Sequence, residues 1–228
     1  MERESTRKEA RRGKVLSRRH EAELQKAIQA RDEFIGIASH ELKTPIGALS
    51  LLSEAIAQAS DDPKAVNNFA ERIQFEAKRL SELVQEIINL SRLQDADPLL
   101  AAMTVDIDDV VRQAISNSQI AATDRNIEIF RGPLSHGTVV GDRNQLIIAI
   151  QNLIDNAINY SPDKTTVTVN TEVFGDVVEI QVIDQGIGIA EADIDRIFER
   201  FYRVDRSRSR DTGGTGLGLA IVKHIASR

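Results

Sequence analysis

The stretch FIGIASHELKTP, residues 34–45, lies within an apolar repeat that predicts a long helix. The repeat has a period of seven residues and runs through Ile28, Ile35, Leu42, Leu49 and Ile56. This period is typical of the seam of a coiled coil or a helical bundle. His40 lies two positions from Leu42, which is about 200° around a helix axis. The repeat therefore predicts that His40 is exposed on the face opposite the seam.

A second apolar repeat follows a turn at residues 61–63, Asp-Asp-Pro. It has two rows, Ile73, Leu80 and Ile87 on one and Phe69, Leu83 and Leu90 on the other. Two amphipathic helices joined by a short turn form a hairpin, whose apolar stripe stays exposed until a partner covers it. The first half of the chain is therefore predicted to be an all-α hairpin that pairs with a second copy into a dimeric four-helix bundle.

Helical and strand patterns alternate in the second half of the chain. The helical patterns cover residues 108–123 and 142–160, and Asp142 is the expected N-cap of the second helix. The strand patterns cover residues 127–130, 165–173 and 177–183, of which the last two predict a hairpin. Helices mixed with strands predict an α+β sandwich.

The change of pattern falls at residues 94–98, QDADP, which we interpret as a linker. The sequence therefore predicts a charged lead-in over residues 1–19, a helical domain over 20–95 and an α+β domain over 96–228.

Charge and composition exclude several classes of protein. A net charge of −6 argues against nucleic acid as the main partner, and the absence of cysteine excludes disulfides and thiolate metal sites. No apolar run approaches the ~20 residues of a membrane span, so we expect a soluble, cytosolic chain. The first 19 residues hold eight Lys or Arg and three Glu. A solvated helix start is favoured there over the alternative, a juxtamembrane segment of a longer receptor.

His40 has the chemistry of a nucleophile. A neutral imidazole carries a lone pair near pH 7, and the adjacent Glu41 can orient the ring or accept its proton. Thr44 lies one helical turn further along on the same face. A surface histidine beside a glutamate is commonly incidental, so the hypothesis depends on the whole string rather than on this pair.

The string closely resembles the H-box of sensor histidine kinases, F-x-x-x-x-S-H-E-L-[KR]-T-P, and every fixed position of that pattern is met. The resemblance implies that His40 is the phospho-acceptor and Glu41 its acid–base partner. It implies that Thr44 serves the reverse reaction, hydrolysis of the phosphoryl group from a response regulator.

Residues 152–162, NLIDNAINYSP, contain two asparagines that are four positions apart and share one helical face. Amide oxygens are hard ligands that suit Mg²⁺. The string resembles the N-box of the same family, which implies that Asn156 is the Mg²⁺ ligand and that Asn152 and Tyr160 contact ATP. Asn159 departs from the many relatives that carry Lys or Arg there, so we expect a lower ATP affinity.

Two glycine-rich strings complete the pattern. DQGIGI, residues 184–189, follows a predicted strand, although D-x-G-x-G alone fits a tight turn equally well. GGTGLGLAIV, residues 213–222, is a glycine turn that opens a helix, and such a turn offers backbone N–H groups and the positive helix end to phosphate. Its spacing fits neither the P-loop nor the dinucleotide-binding fingerprint.

Both strings resemble the glycine boxes of the sensor histidine kinases. The resemblance implies that Asp184 binds the adenine amino group. It implies a nucleotide-binding role for Gly186, Gly188, Gly214, Thr215, Gly216, Leu217 and Gly218. Residues 197–203, IFERFYR, resemble the family's F-box, with Arg203 as a phosphate contact, and residues 205–212 are the expected ATP lid.

The chain is thus identified as a member of the sensor histidine kinases of two-component systems. The resemblance implies a HisKA-type dimerisation and phosphotransfer domain and a GHKL-type ATP-binding domain of Bergerat fold. We expect that second domain to be truncated at its C-terminal end, without its last strands, and less stable for it. The implied activity is autophosphorylation of His40 from ATP with Mg²⁺, followed by transfer to an Asp of a response regulator receiver domain.

Two alternatives remain at this point. One is a GHKL-type ATPase, although Asn152 stands where those ATPases place a catalytic glutamate. The other is a catalytically impaired dimerisation scaffold. The parent protein is expected to be anchored in the cell membrane and to form a homodimer.

Overall fold

The computed structural model describes residues 2–59, 61–95, 102–134, 137–204 and 214–227. Three predicted features lie outside these ranges: the linker after residue 95, the ATP lid over 205–212 and Gly213. The side chains of the lead-in over 1–19 lie outside them too. The chain divides into two compact units, Met1–Leu80 and Ser81–Arg228.

Two long helices carry the first unit, and the second of them continues into the other unit. The helices are α1, Glu2–Gln58, and α2, Pro63–Asp95. The predicted turn between them is confirmed. Asp62 caps the start of α2, because its Oδ1 accepts the N–H groups of Lys64 at 3.0 Å and Ala65 at 3.1 Å.

The second unit adds three helices and five strands within the described residues. In chain order these are β1 Met103–Asp106, α3 Ile107–Asp124, β2 Glu128–Leu134, β3 Thr138–Gly141, α4 Arg143–Tyr160, β4 Thr166–Phe174, β5 Val177–Ile183 and α5 Gly218–Ala226. A short 3₁₀ turn, Glu191–Asp193, precedes the predicted F-box. The predicted helices and the hairpin of β4 and β5 are confirmed, with Asp142 capping α4 through Asn144 N at 2.8 Å and Gln145 N at 3.2 Å.

The described strands form two sheets. β2, β4 and β5 make a three-stranded sheet in which β2 runs parallel to β4, and β4 runs antiparallel to β5. β1 and β3 make a separate antiparallel pair, with Met103 opposite Gly141. Parallel neighbours need a long crossover connection, and here β3 and α4 supply it. The β1–β3 pair was not predicted from the sequence.

The core of the second unit lies where α3 and α4 pack with the strands. Its buried members are aliphatic: Val105, Ile107, Val110, Val111, Ala114, Ala122, Ile127, Ile147, Ile150, Ile154, Ala157, Ile158, Val167 and Val169. The predicted α+β sandwich is confirmed. Because Ile154 points into this core, Asn152 and Asn156, each two positions away, project from the opposite side of α4.

Within the described ranges, no helix combines the length and the apolar character that crossing a membrane requires.

Candidate active site

His40 presents its ring to solvent from the middle of α1. Its side chain is 79% exposed, as the heptad pattern predicted, and Nδ1 lies 3.9 Å from Glu41 Oε1. Nδ1 is therefore the nitrogen that faces the carboxylate, and Nε2 is the nitrogen that faces away from it. Catalytic hydrogen bonds are commonly long in ligand-free structures, so this spacing fits a carboxylate that receives the ring proton.

Thr44 lies one turn after His40 and is exposed. Its hydroxyl donates to the backbone carbonyl of His40 at 3.3 Å. This back-bond holds the Thr44 side chain on the same side of the helix as the imidazole. The three residues predicted to act together on α1 are therefore brought together by helix geometry alone.

The asparagine string occupies the end of α4. Asn152 Nδ2 donates to the carbonyl of Ile148 at 2.8 Å, which fixes the amide against its own helix. Asn152 and Asn156 are both half-buried, and Tyr160 at the end of the helix is exposed. An amide oxygen can serve as a ligand for a cation or as an acceptor for a donor group.

The first glycine string brings the end of β5 against the end of α4. Asp184 Oδ1 accepts the N–H of Gly186 at 2.7 Å, which closes a tight turn. A Cβ on Gly186 would lie 2.7 Å from that Oδ1 and 2.8 Å from the carbonyl oxygen of Tyr160. Only glycine allows this approach. Gly188 follows in the left-handed region, with φ of +72°.

The second glycine string is tied both to α4 and to the F-box. A Cβ on Gly218 would lie 2.6 Å from Asn152 Oδ1, and one on Gly214 would lie 3.7 Å from the Tyr160 hydroxyl. Gly216 has φ of +77°, and its carbonyl accepts the N–H of Phe201 at 2.8 Å. Both glycine strings therefore converge on the C-terminal half of α4, from Asn152 to Tyr160.

Three further predicted residues lie in the second glycine string and in the F-box: Thr215, Leu217 and Arg203. Leu217 is fully buried and anchors the start of α5, while Thr215 is buried beside it. Arg203 is half-buried two positions after Phe201. Asp193 accepts the hydroxyl hydrogen of Tyr202 at 2.5 Å, and this hydrogen bond raises the pKa of the Tyr202 phenol.

These residues fit an adenine nucleotide with a divalent cation. A side chain on Gly186 or Gly218 would collide with atoms of Asp184, Tyr160 or Asn152, so glycine at these positions keeps the candidate nucleotide residues close together. The N-terminus of α5 adds backbone N–H groups and a positive dipole end. Asn156 supplies a hard oxygen donor of the kind that Mg²⁺ takes.

Two family models match the chain. The model described as "His Kinase A (phospho-acceptor) domain" matches residues 30–96, and the one described as "Histidine kinase-, DNA gyrase B-, and HSP90-like ATPase" matches residues 141–228. The sensor-like histidine kinase SenX3 of Mycolicibacterium smegmatis is 49% identical over 197 residues, which are 86% of this chain and 51% of that protein. The chain belongs to the sensor histidine kinase family.

Other members of the family are also similar to the chain. The sensor histidine kinase WalK of Bacillus subtilis is 33% identical over 207 residues, which are 89% of this chain and 34% of that protein. A solved structure of the Acinetobacter baumannii histidine kinase AdeS has a TM-score of 0.60 at 26% identity, covering 82% of this chain and 86% of that one. The chain spans about half the length, or less, of the curated relatives named here.

Two carboxyl groups in this histidine kinase chain were not predicted from the sequence. Burial raises the pKa of Glu86, on α2, to about 7, and Thr215 donates a hydrogen bond to it. Burial also raises the pKa of Asp155, on α4, against the opposing effect of hydrogen bonds from Ser118 and Gln151. One signal was available for Glu86: it lies three residues after Leu83 and four before Leu90, within the apolar row of α2.

Proposed function

We propose that the chain transfers the γ-phosphoryl group of ATP to its own His40 and then passes it to an aspartate of a response regulator. The observation that carries the proposal is the pair on α1, an imidazole open to solvent whose Nδ1 faces a carboxylate. The second unit supports it, because its two glycine strings converge on the asparagine helix α4.

The proposed transfer forms one bond and breaks one. The lone pair of His40 Nε2 forms the N–P bond, and the bond between the γ-phosphorus and the bridging oxygen breaks. Its electron pair leaves with ADP. The proton on Nδ1 moves to Glu41, so the imidazole does not keep a full positive charge as the bond forms. Most of the acceleration comes from positioning and charge neutralisation.

The nucleotide roles follow the positions of the side chains in the second unit. Asp184 accepts a hydrogen bond from the adenine amino group, and the phosphates lie along the backbone of the glycine strings. The contributing residues are Asn152, Asn156, Tyr160, Gly186, Gly188, Arg203, Gly214, Thr215, Gly216, Leu217 and Gly218. Asn156 would hold Mg²⁺, which when bound neutralises negative charge on the phosphates.

A homodimer and a receiver-domain partner belong to the same proposal. Several large apolar side chains of the first unit are exposed in a single chain: Leu24, Ile28, Ile35, Ile46, Leu51 and Phe75. A second copy that packs as a four-helix bundle would cover such side chains. The receiver domain would dock on that bundle, and Thr44 would position water for the reverse reaction. We place the unit in the cytoplasm, in a parent protein anchored in the cell membrane.

The predicted boundary at residues 95 and 96 also stays a proposal. Packing divides the chain earlier, after Leu80, because the end of α2 is bonded to residues of the second unit. The boundary predicted from the sequence pattern and the boundary set by packing therefore differ by the last turns of α2.

Hydrolysis of ATP by the second unit alone is the less favoured function. An ATPase of this fold class needs a base near the Mg²⁺ ligand, and Asn152 stands at that position. Its amide nitrogen donates to Ile148 O, and an amide does not accept a proton from water at neutral pH.

The test is incubation of the chain with γ-labelled ATP and Mg²⁺. We expect label on the native chain that is labile to acid and stable to alkali, and none on His40→Gln. His20→Gln is the matched control, because it removes an imidazole outside the H-box and keeps the phospho-acceptor. ATP affinity of His40→Gln should equal that of the native chain.

Three outcomes contradict the proposal. Equal labelling of His40→Gln would move the acceptor elsewhere. Release of free phosphate without label on the protein would favour the ATPase. Nucleotide binding without label or phosphate release would leave a dimerisation scaffold.

A further inference from the structure

Glu86 interrupts a buried apolar row on the part of α2 that belongs to the second unit. Its neighbours on that helical face, Leu83, Leu90 and Leu93, are 5%, 1% and 4% exposed. Glu86 as a whole is part-buried, and its carboxyl group lies at the enclosed end, where the buried Thr215 contacts it. A carboxyl group in such a row is costly to bury unless it is hydrogen-bonded or neutral.

Thr215 uses its hydroxyl twice. The hydroxyl donates its hydrogen to Glu86 Oε2, and its oxygen accepts the N–H of Leu217 at 3.2 Å. A threonine hydroxyl has one hydrogen to give, so the bond to Glu86 uses it completely. The Leu217 N–H, which stands at the start of α5, is likewise directed at Thr215. Two donors of the glycine turn are therefore occupied inside the protein.

A second contact fastens the same end of α2 to α5. His224 Nε2 lies 3.3 Å from the carbonyl oxygen of Leu93. The last carbonyls of a helix have no partner within it, so a ring N–H satisfies one of them here. Thr215 precedes α5, and His224 lies in the last turn of α5. Both ends of α5 are therefore fastened to α2.

We propose that the hydrogen bond between Thr215 and Glu86 is an autoinhibitory latch, which fastens the glycine turn to α2 and has to open before nucleotide phosphates bind there. Phosphate groups bind N–H donors at helix starts, and Thr215, which is fastened to Glu86, accepts one of them, the Leu217 N–H. The inference rests on the proposed function in one respect, that phosphates bind at this turn.

The latch is sensitive to pH. Burial is the largest cause of the raised pKa of Glu86, about 7; Glu82 on the same helix and Asp155 on α4 raise it further, and the Thr215 hydrogen bond lowers it. On α5, the titratable side chain of His224 contacts the end of α2. A carboxyl group whose pKa is higher in the latched state favours that state at low pH. Opening the latch exposes Glu86, which then has its ordinary pKa of 4.5, so the latch weakens as pH rises from about 4.5 through about 7 and levels off above that.

Between pH 6 and pH 8 the shift corresponds to about tenfold in the equilibrium between latched and open states. ATP affinity should rise with pH by up to this factor. Adenosine has no phosphates, so its affinity should not follow the latch.

Two variants separate the states. Glu86→Ala removes the acceptor and should bind ATP with the high affinity of the open state at both pH values. Glu86→Gln keeps a carbonyl oxygen for Thr215 and does not ionise, so it should bind ATP weakly at both. Glu172→Ala removes an exposed carboxylate on β4 and serves as the charge-matched control. Circular dichroism establishes that each variant is folded.

The experiment titrates ATP and adenosine against these four forms of the 228-residue chain at pH 6 and pH 8. The affinity ratio of Glu86→Ala to the native chain cancels the titration of the nucleotide itself. We expect this ratio to fall by about tenfold from pH 6 to pH 8 for ATP, and to stay constant for adenosine. A constant ratio for ATP, or weaker ATP binding by Glu86→Ala, would overturn the latch.

Hydrogen exchange of the Leu217 amide without nucleotide keeps the two proposals distinguishable. At one pH, exchange should be faster in Glu86→Ala than in Glu172→Ala, because opening frees the turn. If no form binds ATP, the proposed function fails, and faster exchange still supports the contact as a latch on the turn. Equal exchange of the Leu217 amide in the two variants would overturn the latch.

Discussion

In the first unit, His40, Glu41 and Thr44 lie within two turns of one helix, whereas in the second unit the nucleotide residues come from four separate segments. The α1 group is set by helix geometry, since Thr44 bonds back to the carbonyl of His40. The second group depends on tertiary packing, since Gly186 and Gly218 approach α4 only through the folded core. Backbone changes that disrupt the nucleotide site of the second unit should therefore leave the geometry of His40, Glu41 and Thr44 intact. Side-chain changes on α1 should leave nucleotide binding intact.

The largest expected effect is chemical and confined to α1. Glu41→Gln removes the carboxylate that faces Nδ1 but keeps its size, so the labelling rate of His40 should fall about 100- to 10,000-fold. ATP affinity should stay unchanged, because the nucleotide residues lie in the second unit. Single-turnover labelling and equilibrium binding measure the two separately. Glu33→Gln, exposed on the same helix, is the control. A labelling rate within about threefold of the native chain would remove Glu41 from the proposed proton transfer.

The same contrast explains what could be predicted from the sequence. The exposed His40, the cap at Asp142 and the hairpin of β4 and β5 depend on neighbours within a few residues, and all three were predicted. The β1–β3 pair was not, because each strand has four residues and its partner lies over thirty positions away. Pairs of that kind are fixed by the core that Val105 and Val139 join, and no local pattern encodes that core.

The contacts of Glu86 were missed for a related reason. The apolar row of α2 shows that this residue faces inward, but it does not show which group it meets. Thr215 lies 129 positions along the chain, and only the packing of α2 against the start of α5 brings the two together. The glycine strings were recognised because their residue types are unusual, while the element on which they converge, the end of α4, was visible only in the fold.

A pair of glycine substitutions tests the contrast at intermediate size. Gly186→Ala would place a methyl group 2.8 Å from the backbone oxygen of Tyr160, so α4 or the β5 end has to move. We expect a loss of about 1–3 kcal/mol in unfolding free energy of the second unit and about tenfold or more in ATP affinity. Calorimetry and nucleotide titration measure both.

Gly36→Ala is the counterpart in the first unit. A Cβ there would meet no described atom within 4 Å, and the position is inside α1. Alanine is the better helix former, so the variant should gain about 0.5–1 kcal/mol and keep the ATP affinity of the native chain. If Gly186→Ala proved as harmless as Gly36→Ala, the close approach of the first glycine string to α4 would be refuted.

The smallest expected effects come from two equivalent caps, one in each unit. Asp62 accepts two backbone N–H groups at the start of α2, and Asp142 does the same at the start of α4. Replacing either by Ala should cost about 1 kcal/mol in unfolding free energy, and replacing either by Asn a few tenths, because Asn still caps. Urea unfolding monitored in each unit measures the losses. Their consequences should differ: α4 carries Asn152 and Asn156, so saturating ATP should restore part of the stability lost in Asp142→Ala and none of that lost in Asp62→Ala. Equal restoration in both variants would mean that the nucleotide site and the first unit unfold together. The α1 site and the nucleotide site would then differ in how they are built but not in their stability.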